Sequence, residues 1–175
     1  MIRVVLIMAV LLLSGCAATV HREALNNRPL TIPQESSRKI VLNVTGSQMA
    51  TNSDDWEQLK GEWRAAMKSA TREAGVAFGV QEGSPTPVAD AGTLVVVHVN
   101  DYRYISPGAR YGFGVFTGNA FVDSNVEFRD LMSGRRYGTR SYNTSSSAWE
   151  GVFSAMTGKQ IQAICNEMVT EINPR

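Results

Sequence analysis

Residues 93–105 read TLVVVHVNDYRYI, and this stretch decides the fold. Four successive apolar residues, Leu94 to Val97, are typical of a strand covered on both faces, and the alternation after them is typical of a half-exposed strand end. The stretch therefore predicts the central strand of a sheet. We interpret His98 as a core or sheet-face histidine rather than a catalytic one, because no nucleophile or carboxylate pattern accompanies it.

Further strands are predicted on both sides of this stretch. KIVLNVT, residues 39–45, contains β-branched residues in partial alternation, and VAFGV, residues 76–80, is a short apolar run. Downstream, residues 120–131 alternate between apolar and polar side chains, and residues 135–143 return after the turn at 132–134. The last two segments predict a β-hairpin.

Two main helices are predicted. Apolar residues recur at three- and four-residue steps between Trp56 and Ala74, and a second apolar stripe covers residues 161–172. Ser53 is the predicted N-cap of the first helix, and Gly75 its left-handed C-terminal residue.

The segment from Trp149 to Met156 carries a separate apolar stripe behind a capping box at residues 147–150. At about 100° per residue this stripe and the one at 161–172 face different directions, so a break is predicted at Thr157-Gly158. The segment is either a satellite of the core or an exposed hook.

The order strand, helix, short strand, strand, hairpin, helix predicts an α+β fold. We expect a mixed, mostly antiparallel sheet of four to five strands with two main helices on one face. The predicted domain spans residues 38–175. Residues 16–37 are polar, contain two prolines and show no periodicity, which indicates a flexible tether with a reach of about 25 Å. His21 lies in this tether and is expected to be solvated.

The first sixteen residues have the layout of a secretory signal peptide: Arg3, an apolar run from Val4 to Leu13, and small residues before Cys16. The run is too short to span a bilayer, since ten residues reach about 15 Å as a helix and the hydrocarbon core measures about 30 Å. Residues 1–15 are therefore the predicted signal peptide.

Leu13-Ser14-Gly15-Cys16 resembles the lipobox of bacterial lipoproteins. The resemblance implies a thioether-linked diacylglycerol on Cys16, cleavage before it, and a third acyl chain on the new amine. Two or more chains hold a protein firmly on a membrane. Ala17, which is not aspartate, implies export to the outer membrane, with the domain facing the periplasm.

The charge of the chain argues against nucleic acid as a partner, and the tyrosines and arginines cluster in one region. Removing Arg3 leaves sixteen basic and sixteen acidic residues, so a global field for nucleic acid is not expected. All five tyrosines and six arginines fall between residues 102 and 142, which predicts either an ordinary sheet face with cation–π contacts or a partner-binding patch. The candidate partner-binding residues are Tyr104, Arg110, Tyr111, Arg136, Tyr137, Trp149 and Phe153.

No catalytic constellation is visible, and we expect no enzyme activity, no cofactor and no metal site. Glycines between residues 106 and 119 lead into a strand rather than a helix, which disfavours a dinucleotide-binding loop. Asp101, Asp123 and Glu127 could form a carboxylate pair of the kind that hydrolases use. Cys165 is expected to be a small buried hydrophobe rather than a reactive thiol.

One family resemblance rests on residues 95–105, on Gly108, Arg110, Gly112 and Gly114, and on VEFRDLMSG at 126–134. These segments are similar to the bacterial lipoprotein family called domain of unknown function 4410. The family is uncharacterised and lends no catalytic residues, and its expected relatives in fold are small periplasmic domains that serve in envelope assembly. The resulting hypothesis is a lipid-anchored module that binds another envelope protein or itself. The alternative is a binding module for peptidoglycan or another anionic envelope ligand, in which arginines pair with carboxylates.

Overall fold

The computed structural model describes residues 20–22, 29–103, 120–145 and 156–174. The strands are β1 (Val20–Arg22), β2 (Lys39–Gly46), β3 (Ala77–Val80), β4 (Thr93–Arg103), β5 (Phe121–Asp130) and β6 (Arg136–Ser145). The α-helices are α1 (Gln48–Thr51), α2 (Trp56–Ala74) and α3 (Met156–Ile172), and a 3₁₀ turn covers Ser36–Arg38. These elements form an α+β fold, which confirms the predicted class.

The strands form one mixed sheet in the order β1-β6-β5-β4-β2-β3. β4 lies inside the sheet, parallel to β2 and antiparallel to β5, so its prediction as the central strand is confirmed. The pairings β1–β6, β5–β6 and β4–β5 are antiparallel, and those of β2 with β3 and β4 are parallel. Within the described ranges the sheet has five longer strands, as predicted, and the three-residue β1 adds to the edge of β6 as a sixth.

Both long helices pack on one face of the sheet, as predicted. They run in the same direction, since Gly158 at the start of α3 faces Glu62 of α2, and the Gln162 side chain donates to the Ala66 carbonyl at 3.3 Å. The larger side chains of this core from the strands are Ile40, Leu42, Val95, Val97, Val99, Val122, Val126, Phe128 and Tyr142, and those from the helices are Leu59, Trp63, Met67, Ile161, Ile164, Met168 and Ile172. Cys165 is fully buried among them, and burial raises the pKa of its thiol, which confirms its core role.

The opposite face of the sheet divides into two halves. Val41, Leu94, Val96 and Leu131 form a small buried apolar cluster near the start of β4, and the β3–β4 loop crosses this side. The Asn43 side-chain amide donates to the carbonyls of residues 81 and 83 in that loop, at 2.9 and 3.0 Å. Beyond this cover the face is polar.

His98 lies in the polar half, is exposed, and is 3.1 Å from the Thr45 hydroxyl. This position confirms its interpretation as a sheet-face residue.

Of the two predicted ends of α2, the N-terminal one is corrected by the structure and the C-terminal one is confirmed. The helix starts at Trp56 with Asp55 at the N-cap position, so the prediction of Ser53 as N-cap is wrong. The Ser53 hydroxyl donates to the Asp55 carboxylate at 2.8 Å, and the Ser53 carbonyl accepts from the Trp56 N–H at 3.1 Å. Residues 53–55 therefore form a turn ahead of the helix. Gly75 has the predicted left-handed conformation, with φ 68°.

Part of the predicted tether belongs to the fold. Val20 to Arg22 pair with β6, Leu30 and Ile32 pack against the core, and Ser36 is buried. Leu30 fits beside Gly138, where an added Cβ would lie 2.5 Å from its Cδ2 atom. The domain therefore begins before residue 38. Composition alone missed this, because the contacts of the segment are with residues about a hundred positions away.

The predicted break at Thr157-Gly158 lies inside α3, in its first turn. Gly158 instead permits close packing of the helices, since an added Cβ would lie 3.1 Å from Glu62 Oε2. In the described segments, no helix is both long and apolar enough to cross a bilayer.

Candidate functional site

The hairpin end of the sheet, which comprises the β5–β6 turn and the 3₁₀ turn beside it, is organised by one carboxylate. Asp130 Oδ1 accepts hydrogen bonds from the backbone N–H and the hydroxyl of Ser133, each at 2.7 Å. Its Oδ2 accepts from the Tyr137 hydroxyl at 2.6 Å and from the Ser36 hydroxyl at 3.3 Å. One side chain therefore closes the turn and joins it to a residue 94 positions earlier.

Two local conformations place these groups. Gly134 has φ 72°, a left-handed conformation that lets the chain turn from β5 into β6. On the other side, the N–H groups of Ser36 and Ser37 donate to the Pro33 carbonyl at 2.9 and 3.1 Å. The Ser36 carbonyl then accepts from the buried Thr93 hydroxyl at 2.9 Å. Ser36 is thus fixed between the start of β4 and the hairpin.

A cavity of about 500 Å³ opens beside Asp130. Its lining residues are Pro33, Glu35, Ser36, Ala91, Asp130, Met132, Ser133 and Arg135. Met132 is 57% exposed, so an accessible apolar side chain stands among charges of both signs. Within the described ranges, no group of three or more His, Cys, Asp or Glu side chains could hold a metal ion.

The hydrogen bonds of this end shift two protonation equilibria. The hydrogen bond from Tyr137, followed by those from Ser133, holds the pKa of Asp130 well below its usual range. Burial, and then the hydrogen bond to Asp130, raises the pKa of Tyr137. At neutral pH the site therefore consists of a carboxylate and a neutral phenol.

Of the seven candidate partner-binding residues, two lie in the described part of the chain. Arg136 is 63% exposed, and its Nη1 is 3.9 Å from Glu127 Oε1, so its side chain is accessible. Tyr137 is half-buried, packs against the core and bonds Asp130, while the Arg135 guanidinium lies 5.6 Å from its ring centroid. Tyr137 therefore supports the surface, and Arg136 is the residue displayed on it.

Other members of the tyrosine and arginine group are engaged within the fold. Arg129 forms an ion pair with Glu127 at 2.6 Å on the open sheet face. Arg140 lies on the helix side with its side chain 6% exposed, and it pairs with Glu171 of α3 at 2.6 Å. The fully buried Tyr142 donates to the same glutamate at 3.3 Å.

The far end of the sheet, where β4 stops and β5 starts, carries a second group that the sequence analysis did not single out as a site. The Tyr102 hydroxyl donates to Asp55 Oδ1 at 2.6 Å, and its ring centroid is 6.4 Å from that of Trp56. Lys60 Nζ lies 5.8 Å from the Trp56 ring centroid. Burial, and then the Asp55 hydrogen bond, raises the pKa of Tyr102 to about 12.

Six predicted site residues lie outside the described part of the chain. They are the lipidation residue Cys16 and the partner-binding candidates Tyr104, Arg110, Tyr111, Trp149 and Phe153.

Two of the three candidate carboxylates are neighbours. Asp101 and Asp123 are register partners in β4 and β5, next to a bulge after Val99. Asp101 Oδ1 accepts from the Tyr102 N–H at 2.7 Å, and Asp123 Oδ2 accepts from the Asn100 side chain at 3.3 Å. Glu127 is not part of this pair.

Sequence reasoning missed Asp130 and Ser36. A local signal for Asp130 was present, because it lies two residues before the turn at 132–134 and an aspartate at the start of a turn often closes it with its side chain. Ser36 carries no such signal, since its partners Thr93, Asp130 and Tyr137 are far away along the chain.

Comparisons with known proteins show a similarity of structure. No family model matches the sequence, so the resemblance to domain of unknown function 4410 stays a prediction. No curated protein matches the sequence either. The fold is similar to that of PelC from Paraburkholderia phytofirmans, solved as a dodecamer, with 11% identity and a TM-score of 0.54. That similarity covers 90% of this chain and 99% of PelC.

Two further solved structures are more distant. A Xanthomonas campestris protein of the family called domain of unknown function 330 has 12% identity, a TM-score of 0.45, and coverage of 80% of this chain and 90% of its own. Lipoprotein GNA1162 from Neisseria meningitidis has 12% identity, a TM-score of 0.39, and coverage of 74% and 96%. At these identities the PelC similarity shows the fold alone, and the two others only mark weaker resemblance.

Proposed function

We propose that this chain is a lipid-anchored envelope protein whose periplasmic domain binds another protein, with a second copy of itself as the first candidate. The observation that carries the proposal is the fold shared along 90% of the chain with PelC, a protein solved as a dodecamer. The resemblance of Leu13-Ser14-Gly15-Cys16 to a lipobox supports the anchor.

The hairpin end is the contact surface that we favour among the described residues. Arg136 and Met132 are 63% and 57% exposed there. Arginine is enriched at the centres of protein interfaces, and methionine adapts to varied apolar partners. The hydrogen bonds of Asp130 hold the turn in one conformation, so little ordering entropy would be lost on binding.

Binding of peptidoglycan or another anionic envelope ligand has less support. That hypothesis needs arginines that can pair with carboxylates of the ligand. Arg129 and Arg140 already pair with Glu127 and Glu171, and Arg135 lies over Tyr137, which leaves the accessible Arg136 of this group for such a pairing. Sedimentation with purified sacculi at low salt tests it, and we expect the protein to stay in the supernatant.

The anchor is tested by labelling cells with a fatty-acid analogue and separating inner from outer membranes. We expect label on the wild-type protein in the outer membrane and none on Cys16→Ala, which should accumulate as an uncleaved precursor. An unlabelled mature protein, or a label that survives in Cys16→Ala, would contradict the lipoprotein proposal.

Self-association is tested by measuring the mass of the lipidated, detergent-solubilised protein by analytical ultracentrifugation. We expect a multimer for the wild type and a smaller species for Arg136→Glu. Lys68→Glu is the matched control, because Lys68 is also exposed but lies on α2. Monomers at every concentration, together with no cross-linked partner in intact cells, would contradict the proposal.

A further inference from the structure

We infer that the far end of the sheet faces the surface of the outer membrane, and that the hairpin end points away from it into the periplasm. The inference rests on the proposed lipid at Cys16 and adds a membrane-contacting surface to it. The far end is defined here by Gly46, Met49, Trp56, Tyr102, Arg103 and Phe121.

The register of the strands fixes which end is close to the anchor. Val20, the first residue of β1, pairs with Thr144 near the end of β6. Phe121 at the start of β5 pairs with both Arg103 and Ser145. β1 therefore starts at the end of the sheet where β4 and β6 stop and β5 begins.

The length of chain between the lipid and the fold is short. Val20 follows Cys16 by four residues, and four fully extended residues span at most about 14 Å. The eleven residues of β4 make the sheet about 35 Å long. The corner of the sheet at Val20 must therefore lie close to the headgroups, whereas a free tether of residues 16–37 would have allowed any orientation.

The side chains of the far end suit a membrane interface. The half-buried Trp56 and Tyr102 rings lie together, and the Arg103 guanidinium is 6.0 Å from the Phe121 ring centroid. Aromatic rings with a polar edge, and arginine or lysine on an apolar stem, are favoured at the boundary between water and lipid. Met49, 64% exposed, adds an apolar side chain.

The charges at this end identify the kind of lipid surface. Lys60 pairs with Glu57 at 2.7 Å, and the exposed Asp54 and the half-buried Asp55 precede α2. A clustered basic patch would be needed to recruit anionic lipid, and among the described residues of this end the acidic groups offset the cations. We therefore commit to a zwitterionic bilayer surface, on which the lipid chains supply the affinity and the far end supplies the contact.

The experiment uses two single-cysteine variants of the lipidated full chain. Met49→Cys and Met132→Cys are matched, because both methionines are exposed and they lie at opposite ends of the sheet. Cys165 is fully buried and Cys16 would carry the lipid, so a fluorescent thiol reagent should label only the new cysteine. The labelled proteins are reconstituted into phosphatidylethanolamine-rich vesicles that contain a lipid with a headgroup quencher.

We expect the label at position 49 to lose more than about half of its fluorescence, since a reach of about 14 Å keeps that end near the headgroups. The label at position 132 should lose none. Inserting twenty Gly and Ser residues before Val20 should bring quenching at position 49 close to that at position 132, and unchanged quenching in that variant would overturn the argument from tether length.

Equal quenching at the two positions, which would mean that the domain lies on its β1 edge, would overturn the inference while leaving the anchor intact. So would stronger quenching at position 132. Flotation of the vesicles separates these results from failure of the proposed function. If the lipidated protein floats no better than an unlipidated chain that starts at Ala17, the lipid anchor fails, and the inference fails with it. Cys16→Ala is not used here, because as a precursor it would keep the apolar run from Val4 to Leu13.

Discussion

Each end of the sheet has a tyrosine that donates to an aspartate over 2.6 Å, and the two pairs differ in what else the aspartate holds. Asp130 accepts from Tyr137, from Ser36 and twice from Ser133. Asp55 accepts from Tyr102 and from the nearby Ser53 at one oxygen. Asp130 therefore joins three parts of the chain, whereas Asp55 joins the start of α2 to the end of β4.

The difference suits the two roles that we propose for the two ends. The hairpin end is fixed by a multiply bonded carboxylate, which suits a surface that a protein partner recognises without rearrangement. At the far end, the Tyr102 ring centroid lies 6.4 Å from that of Trp56, and both rings pack against the core. A lipid surface has no fixed shape, so an end that faces it needs less rigidity.

The two ends should differ most in the stability that is lost when each aspartate is replaced by alanine. Asp130→Ala should lower the free energy of unfolding by about 3 kcal/mol, because several charge-assisted hydrogen bonds are lost and the Tyr137 hydroxyl keeps only the Ser36 hydroxyl as acceptor, at 3.1 Å. Asp55→Ala should cost about 1 kcal/mol, from one long-range hydrogen bond and the favourable charge at the helix start. Urea denaturation of both variants measures the difference, and equal losses would contradict the comparison.

A smaller effect is expected from removing each tyrosine hydroxyl. Tyr137→Phe should cost about 1.5 kcal/mol, since a charge-assisted hydrogen bond is lost while the ring keeps its packing. In a double-mutant cycle, Tyr137→Phe and Asp130→Ala should be non-additive by about 1 kcal/mol, because the two groups share one interaction. Tyr137→Phe with Asp55→Ala is the control pair, and it should be additive.

The central strand and the hairpin could be predicted because their evidence is local. An apolar run from Leu94 to Val97 and the alternation after Ala120 each lie within a dozen residues. The N-terminal segment could not be predicted in the same way. Leu30 fits against Gly138, and its environment is decided by a strand that the chain reaches a hundred residues later.

The candidate site was predicted less well than the fold, for a physical reason. Composition predicted the same partner-binding role for Arg136 and Tyr137. Neighbouring strand residues, however, point to opposite faces of a sheet. One side chain is exposed, and the other is half-buried against Asp130. The hydrogen bond that orders the site joins Ser36 to Asp130, and no periodicity or motif spans that separation.

Acid should weaken the hairpin end. Because the folded pKa of Asp130 is depressed, its contribution to stability is complete above about pH 4, the value of an unfolded aspartate, and is lost as pH falls through the folded pKa. The unfolding free energy should therefore decline below about pH 4, and Asp130→Asn should decline less steeply. Urea titrations across this range measure both slopes, and an equally steep decline in Asp130→Asn would contradict the prediction.

The smallest effect is the loss of stability when Tyr102 ionises in alkali. This loss is absent at neutral pH. The folded pKa of Tyr102 is raised to about 12, so its contribution is complete below about pH 10, the pKa of an unfolded tyrosine, and is lost as pH rises through the folded value. Ultraviolet titration of tyrosinate should show one fewer late-ionising tyrosine in Tyr102→Phe than in the wild type, while Tyr137, whose pKa is also raised, remains. In Asp55→Asn the late midpoint should move only part of the way down, since burial is the larger cause of the shift and the carboxylate the second. If the midpoint fell to that of an exposed tyrosine in Asp55→Asn, the carboxylate rather than burial would dominate, and the two ends would be more alike than their geometry indicates.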